Sequence, residues 1–435
     1  MIFFFLGVLP VNIDNLLIEL PGTTKLGIGI SMATYLLTTS ISLLIFGYFE
    51  DKITEKNIRK KIFITTNLLW IISYGIISIS INYYFYLFFI IFAAIGTGAF
   101  VPIGYSIVGD LYSPKERGKK YGGLHLSLTL GTGLGIILGG LLGRFIVPNG
   151  WRFAYGIGSI LGVLVLMNYY FIGIDPERGR SEPEFENFEG AIKYDYKLTL
   201  SNLSQIFKKK TIVAILLYIL FSGIATSTLG IWGIYYLNFK IGGPDPGISA
   251  TALYIFTGIG ILPGAVVGGK IGDSFYKSGK IRGRVIISFL GLIAGIILLL
   301  LFFLLPFASD NAIEIILSWT LLLVLGFTAY FLVSLSAGNI FAIYSEVCTP
   351  ELRSRVNAFN GIMVNIGGII GNLLLSSMIE RDLSLLPLSI TIILLFWLCG
   401  SFFWLLAYIY YPKESKQCRE ILAERRKDLE KKRFK

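Results

Sequence analysis

The motif Asp110-x3-Pro114-x2-Arg117, followed by Gly131-x3-Gly135, returns as Glu346-x3-Pro350-x2-Arg353, followed by Gly367-x3-Gly371, and each position lies 236 residues from its counterpart. The chain is therefore two copies of one unit. Each copy sits in a run of long apolar segments, and duplicated membrane halves are the build of carriers that rock one half against the other around a midplane site.

Stretches long enough to cross the roughly 30 Å hydrocarbon layer fall at 1–20, 26–48, 62–81, 84–108, 121–146 and 153–174, and again at 211–238, 249–269, 285–306, 314–341, 355–379 and 386–411. With 54% hydrophobic and 15% charged residues and a mean hydropathy of +0.72, a soluble protein with a polar surface is excluded. The expected fold is an all-α membrane protein with twelve transmembrane helices in two pseudo-symmetric six-helix halves. Residues 1–174 form the first half, 175–210 a linker, 211–411 the second half and 412–435 a basic tail.

Basic residues fix the expected orientation, because cytoplasmic loops retain positive charge. Loops after spans 2, 4, 6, 8 and 10 and the tail after span 12 hold 33 of the 38 Lys and Arg residues. The other side holds five: Lys25, Arg144, Arg152, Lys240 and Arg381. Both termini are expected to be cytoplasmic in a multi-pass protein of the cell membrane. The net charge of +11 is then a topology signal, scattered over loops rather than gathered on a basic face for nucleic acid. The linker runs from an acidic, Pro-containing stretch into helix-like apolar spacing ending at Lys208, Lys209 and Lys210, as suits a helix lying on an anionic membrane surface. The tail is expected to behave similarly. The first segment starts at Met1 with neither a basic n-region nor a cleavage site, so it reads as a first helix with almost no leader, and the true start is expected to lie upstream.

Motif chemistry narrows the function classes. An enzyme needs convergent nucleophile, acid/base or metal groups, and the chain has a single histidine, His125, at a helix start. Cys348, Cys399 and Cys418 have no metal-ligand spacing and read as free thiols. A phosphate-cradling Gly-x4-Gly-Lys-[Ser/Thr] loop is absent, and no repeated channel-filter element is visible. No cofactor or metal is expected.

Gly47-Tyr48-Phe49-Glu50-Asp51-Lys52, with Arg59 and Lys60 further on, resembles the major facilitator superfamily signature between helices 2 and 3. A degenerate copy, Gly269-x3-Asp273 with Arg282 and Arg284, falls between helices 8 and 9. The resemblance implies a cytoplasmic latch made by Gly47, Asp51, Lys52, Arg59, Gly269 and Asp273, although the inner glycine is missing and the Arg-Lys pair comes late. Asp110 with Arg117, and Glu346 with Arg353, close helices 4 and 10, where each acid can pair with its own Arg or with the Asp51 and Asp273 loops. Static support of helix ends and a conformational latch both remain open. The glycine run of helix 5, which includes Gly131, Gly135 and Gly139, is similar to the superfamily's glycine-rich motif but lacks its proline. With Gly367 and Gly371 it predicts close helix packing or sliding at the seam between halves, and antiport does not follow from it. Gly150-Trp151-Arg152 and Asp175-Pro176-Glu177-Arg178-Gly179, with an acid in helix 1, give a spinster-like flavour.

An ionisable group within the bilayer is a functional candidate by default. Asp14, in Asn12-Ile13-Asp14-Asn15, is about 20 Å along helix 1 from Met1 at 1.5 Å per residue. Spinster-like relatives place an acid in this region, so Asp14 is the expected proton or cation coupling residue; the alternative is that helix 1 ends early and Asp14 faces external water. Glu19 reads as interfacial. No Lys or Arg lies deep in a span, which argues against clamping of phosphate or several carboxylates. Asn12, Tyr105, Trp232, Tyr235, Asn360 and Asn365 are the cavity candidates, with Asn357 and Tyr236 beside them. The expected function is ion-driven alternating access by a monomer. Export of an amphipathic, cationic or lipid-like solute with a proton as coupling ion is the first reading. Uptake by symport or uniport of a neutral solute or organic acid is the second.

Overall fold

The computed structural model describes residues 2–52, 57–112, 114–176, 206–241, 246–307 and 311–433. The first half contains α1 (Ile2–Val8), α2 (Ile13–Glu19), α3 (Lys25–Lys52), α4 (Ile58–Ile77), α5 (Tyr83–Leu111), α6 (Pro114–Phe145) and α7 (Gly150–Ile172). The second contains α8 (Lys210–Ile241), α9 (Pro246–Gly258), α10 (Ile261–Lys277), α11 (Gly283–Leu304), α12 (Ala312–Ser334), α13 (Ala337–Val347), α14 (Pro350–Arg381), α15 (Leu386–Ser401) and α16 (Phe403–Arg433). Among the described residues ten spans are long and apolar enough to cross a membrane, counting α1 and α2 together. Helix α4, which carries Arg59, Lys60 and Lys61 in its first turn, and the glycine-rich α6, apolar over Thr129–Phe145, complete the twelve.

The expected continuous helix over 1–20 is instead two short helices bent by 70°. Pro10 explains the break, since it lacks an N–H and its ring clashes with the carbonyl four residues earlier. Asn12, which is buried, mends the damage: its Nδ2 donates to Val8 O at 2.9 Å and to Gly139 O at 3.0 Å. The basic tail also differs from expectation. Helix α16 runs through Pro412 as far as Arg433, and the Glu414 carboxylate accepts the backbone amides of Lys210 (2.7 Å) and Thr211 (3.1 Å). A carboxylate at a helix start satisfies orphan N–H donors and favours the dipole, so this part of the tail caps α8 rather than lying free. Most of the expected linker, residues 177–205, lies outside the described residues.

Glycines set the packing inside each half. A Cβ on Gly135 would lie 2.0 Å from Phe4 O, one on Gly139 would lie 3.1 Å from Val8 Cα, and Gly131 sits against Phe3. Helix α6 is thereby pressed onto α1. In the second half a Cβ on Gly367 would meet Leu220 O at 2.1 Å and one on Gly371 would meet Ile224 O at 2.3 Å, pressing α14 onto α8. The glycines expected at the seam thus pack helices within halves. A second stripe, Gly260, Gly264, Gly268 and Gly272, brings α10 against Phe327, Phe331, Leu335 and Asn339 of α12 and α13. Gly269, singled out from the sequence, instead has open space beside it.

Between the halves, α3 packs on α14 and α6 on α9, two contacts related by the internal repeat. Along α3 the seam passes from Leu26, whose N–H donates to Glu380 at 3.0 Å, through Gly29 against Ser376, to Ser40, whose Oγ accepts from Asn365 Nδ2 at 2.9 Å. Towards the basic end Gly361 of α14 has nothing within 4 Å of its Cβ position. The described hydrogen bonds between the halves therefore run from the end opposite the basic loops to about the middle. Replacing Gly135 with Val is expected to destabilise the protein by about 2 kcal/mol, the order seen for overpacked interiors, whereas Gly133→Ala, at an open position, leaves the melting temperature in detergent unchanged.

Candidate functional site

Asn57 adopts φ 68°, a left-handed conformation that Asn tolerates, and starts α4 so that Arg59 falls in its first turn. The Arg59 side chain is 5% exposed. Its Nη1 meets Asp110 Oδ2 at 2.5 Å and Ser106 Oγ at 3.2 Å, its Nε donates to Asp175 Oδ1 at 3.1 Å, and its Nη2 donates to Pro176 O. One guanidinium thus holds the ends of α5 and α7 onto the start of α4.

The second half repeats the device. Arg284, in the first turn of α11, donates to Asp273 Oδ1 at 2.7 Å and pairs with Glu346 Oε1 at 3.2 Å, while the Tyr411 hydroxyl donates to Glu346 Oε2. Asp175 and Tyr411, and after them Pro176 and Pro412, keep the same 236-residue separation as Asp110 and Glu346. The third member of each cluster was therefore legible as a further repeat, although sequence reasoning stopped at the first. In the second half Glu346 pairs with Arg284, while the motif's own arginine, Arg353, turns to a backbone carbonyl. Arg353 Nη2 donates to Ser345 O at 2.8 Å, and the side chains of Asp51, Lys52 and Arg117 lie outside the described residues. A Cβ at Gly47 would only touch Pro102 at an ordinary 3.9 Å.

At the opposite end of the bundle, Asp14 falls in the first turn of α2, close to the seam. Its carboxylate accepts a hydrogen bond from Asn238 Nδ2 of α8 at 3.1 Å, a bond that crosses between the halves. Glu19 is not a free interfacial acid: it accepts from Arg152 Nε at 2.5 Å and from Trp151 Nε1, and Arg152 reaches Ser78 O at 3.1 Å. This ties α2 to α7 and α4.

The cavity candidates scatter. Asn12 spends its amide on backbone carbonyls. Trp232 is fully buried, with Nε1 3.2 Å from Asn372 Oδ1, and Tyr235 is buried edge to face against the Trp232 ring, centroids 5.7 Å apart. Asn360 accepts from Tyr344 OH at 3.1 Å, Asn365 bridges the seam to Ser40, and Tyr105 is half-buried on α5. Among the described residues no cluster of His, Cys, Asp and Glu could hold a metal.

The profile of the Major Facilitator Superfamily matches residues 1–372. The chain belongs to this superfamily. Protein spinster homolog 3 of Danio rerio is 27% identical over 251 residues, covering 55% of this chain and 47% of the relative. The sphingosine-1-phosphate transporter SPNS2 of Danio rerio is 22% identical over 234 residues, 52% of this chain and 44% of its own. The chain thus spans less than half the length of these curated relatives. A bacterial homolog of the human lysosomal transporter spinster, solved in an inward-facing, occupied conformation, superposes with a TM-score of 0.71 at 16% identity over 95% of each chain. A D-xylose-proton symporter follows at 0.69 and 16% identity, with 93% of this chain and 94% of the other covered. The twelve-helix, two-half fold of a multi-pass transporter family is thereby shown, and this superfamily member is not an enzyme.

Because Arg59 neutralises two buried carboxylates, its removal takes a buried ion-pair partner from both, a loss of about 3–5 kcal/mol for a buried pair. Arg59→Ala is expected to lower the melting temperature and the folded yield more than Arg284→Ala, since the Asp273 side chain is 60% exposed. Adding Asp110→Asn and Asp175→Asn to Arg59→Ala is expected to restore part of the loss.

Proposed function

We propose that the chain is a secondary active carrier that moves a small organic solute by alternating access, with a proton coupled through Asp14. The observation that carries this reading is the contrast between links within and across the halves. Arg59, Arg152 and Arg284 make their described ion pairs inside their own half. The described hydrogen bonds across the seam are light: Asn238 to Asp14, Leu26 to Glu380 and Asn365 to Ser40. A neutral hydrogen bond contributes about 0.5–1.5 kcal/mol and one to a carboxylate about 1.5–3 kcal/mol, less than breaking a buried ion pair costs, so two stiff halves meet along a seam that can part. The joined end lies opposite the basic loops, as in a carrier open towards the cytoplasm if the charge distribution sets the topology.

On the sequence motifs, Asp51, Lys52, Arg117 and Arg353 are then the latch residues of the basic end. The scarcity of cations deep in the spans favours an amphipathic, cationic or lipid-like solute, in keeping with a relative named a sphingosine-1-phosphate transporter. Export from a monomer in the cell membrane, with both termini cytoplasmic, is the corresponding reading. A relative named citrate exporter 1, 28% identical over 155 residues, and the structural likeness to a D-xylose-proton symporter support the second reading, transport of an organic acid or neutral solute. A proton crossing 100 mV releases about 2.3 kcal/mol, enough to drive a solute gradient.

Proteoliposomes loaded with a pH-sensitive dye test this directly, with pools of organic cations, lysolipids, sugars and organic acids added in turn. One pool is expected to trigger proton movement in the parent protein and not in Asp14→Asn. Unchanged proton movement in that variant would remove Asp14 from the mechanism, and solute flux without proton movement would replace coupled transport with uniport.

A further inference from the structure

Asn238 offers Asp14 more than one hydrogen bond. Its Nδ2 donates to the carboxylate at 3.1 Å, while its Oδ1 is buried and has no partner. A buried amide oxygen left without a donor is unfavourable, and the Asp14 carboxyl, already bonded to the same amide, is a group that can supply one. A carboxylate only accepts, but a carboxylic acid also carries an O–H. Ionised Asp14 can therefore make one hydrogen bond with Asn238 and leaves Oδ1 unmatched. Protonated Asp14 can make two, taking the N–H on its carbonyl oxygen and giving its O–H to Oδ1.

We propose that Asn238 is the positioning residue that converts protonation of Asp14 into closure of the end of the bundle opposite the basic loops. The inference rests on the assignment of Asp14 above and deepens it. Asp14 stands on α2 in the first half and Asn238 on α8 in the second, so their pairing exists only while that end is shut. The pair sits just past the Pro10 break, where α2 is a separate segment held by Asn12, Asn15 and Glu19 rather than by a continuous helix. Asn15 Nδ2 bonds to Asn12 Oδ1 at 3.0 Å and to Gly143 O at 3.2 Å.

Other groups set the bias. Lys25, at the start of α3, is the cation whose charge acts on the Asp14 carboxylate. Tyr235, one turn earlier on α8, faces it as a neutral phenol. Glu380 of α14 accepts the amide next to Lys25 and sits along the same seam. Lys240 is held by Phe302 O at 2.6 Å and Glu19 by Arg152, so each is already engaged. Protonation thus adds a bond across the seam and removes the charge that Lys25 attracts, whereas proton release reverses both changes.

The test is pulsed electron paramagnetic resonance on the full chain in lipid nanodiscs between pH 5 and pH 9. Cys348, Cys399 and Cys418 are replaced by Ser, and spin labels are placed at Tyr84→Cys and Ile313→Cys, which are 76% and 71% exposed at the closed end of the two halves. The short-distance population in the parent is expected to grow about five- to tenfold relative to the long one as the pH falls, the worth of one hydrogen bond. Asn238→Ala is expected to abolish that response. Asp14→Asn, an amide facing an amide, is expected to stay closed at every pH because both bonds persist. Asn238→Asp, in which two carboxyls share one proton, is expected to keep the response with its midpoint moved to higher pH. A full response in Asn238→Ala, or an unmoved midpoint in Asn238→Asp, overturns the role of Asn238 while leaving Asp14 as the coupling acid. A response that persists in Asp14→Asn overturns both assignments.

Discussion

Arg59 and Arg284 each stand where several helix ends meet, with two carboxylates to neutralise and little water to help. A buried charge without a partner is among the most unfavourable groups a membrane protein can hold. The start of α4 therefore cannot leave the ends of α5 and α7, nor the start of α11 the ends of α10 and α13, without exposing such a charge. Each half becomes one body at its basic end. The glycines of α6 and α14 complete the effect by bringing backbones into contact with α1 and α8, where any side chain would force them apart.

The two clusters are related but not equal. The first half uses two carboxylates whose side chains are 13% and 2% exposed, Asp110 and Asp175. The second uses Glu346, the 60% exposed Asp273 and a neutral phenol, Tyr411, at the position corresponding to Asp175. Replacing an acid by a phenol lowers the negative charge packed around the arginine while keeping a hydrogen-bond donor for Glu346. Across the seam the chain uses weaker links, amides, hydroxyls and one backbone N–H. The proposed alternating access draws on that difference in strength.

Much of the architecture was legible because the bilayer imposes simple rules. Apolar length predicts spans, and each expected span has its helix, but Pro10 was passed over and the first span is broken there. The site was less legible. Asp110 and Glu346 were found through the repeat, yet their partners Arg59 and Arg284 lie about 50–60 residues away in sequence and meet them only because α4 packs beside α5 and α11 beside α13. The four-residue spacing of Gly260, Gly264, Gly268 and Gly272 was visible in the chain, whereas which helix they face was not.

By itself the sequence determined the duplication, the apolar spans, the expected side of the basic loops and the presence of an acid, Asp14, among apolar neighbours. These are properties of composition and spacing, which act along the chain. Only the tertiary structure decided that Arg59 serves Asp110 and Asp175, that Glu414 caps α8, and that Asp14 meets Asn238 of the other half with one amide atom left unmatched. Such pairings depend on which helix ends come together in space, and a hydrogen bond requires partners within about 3 Å whatever their separation in the chain.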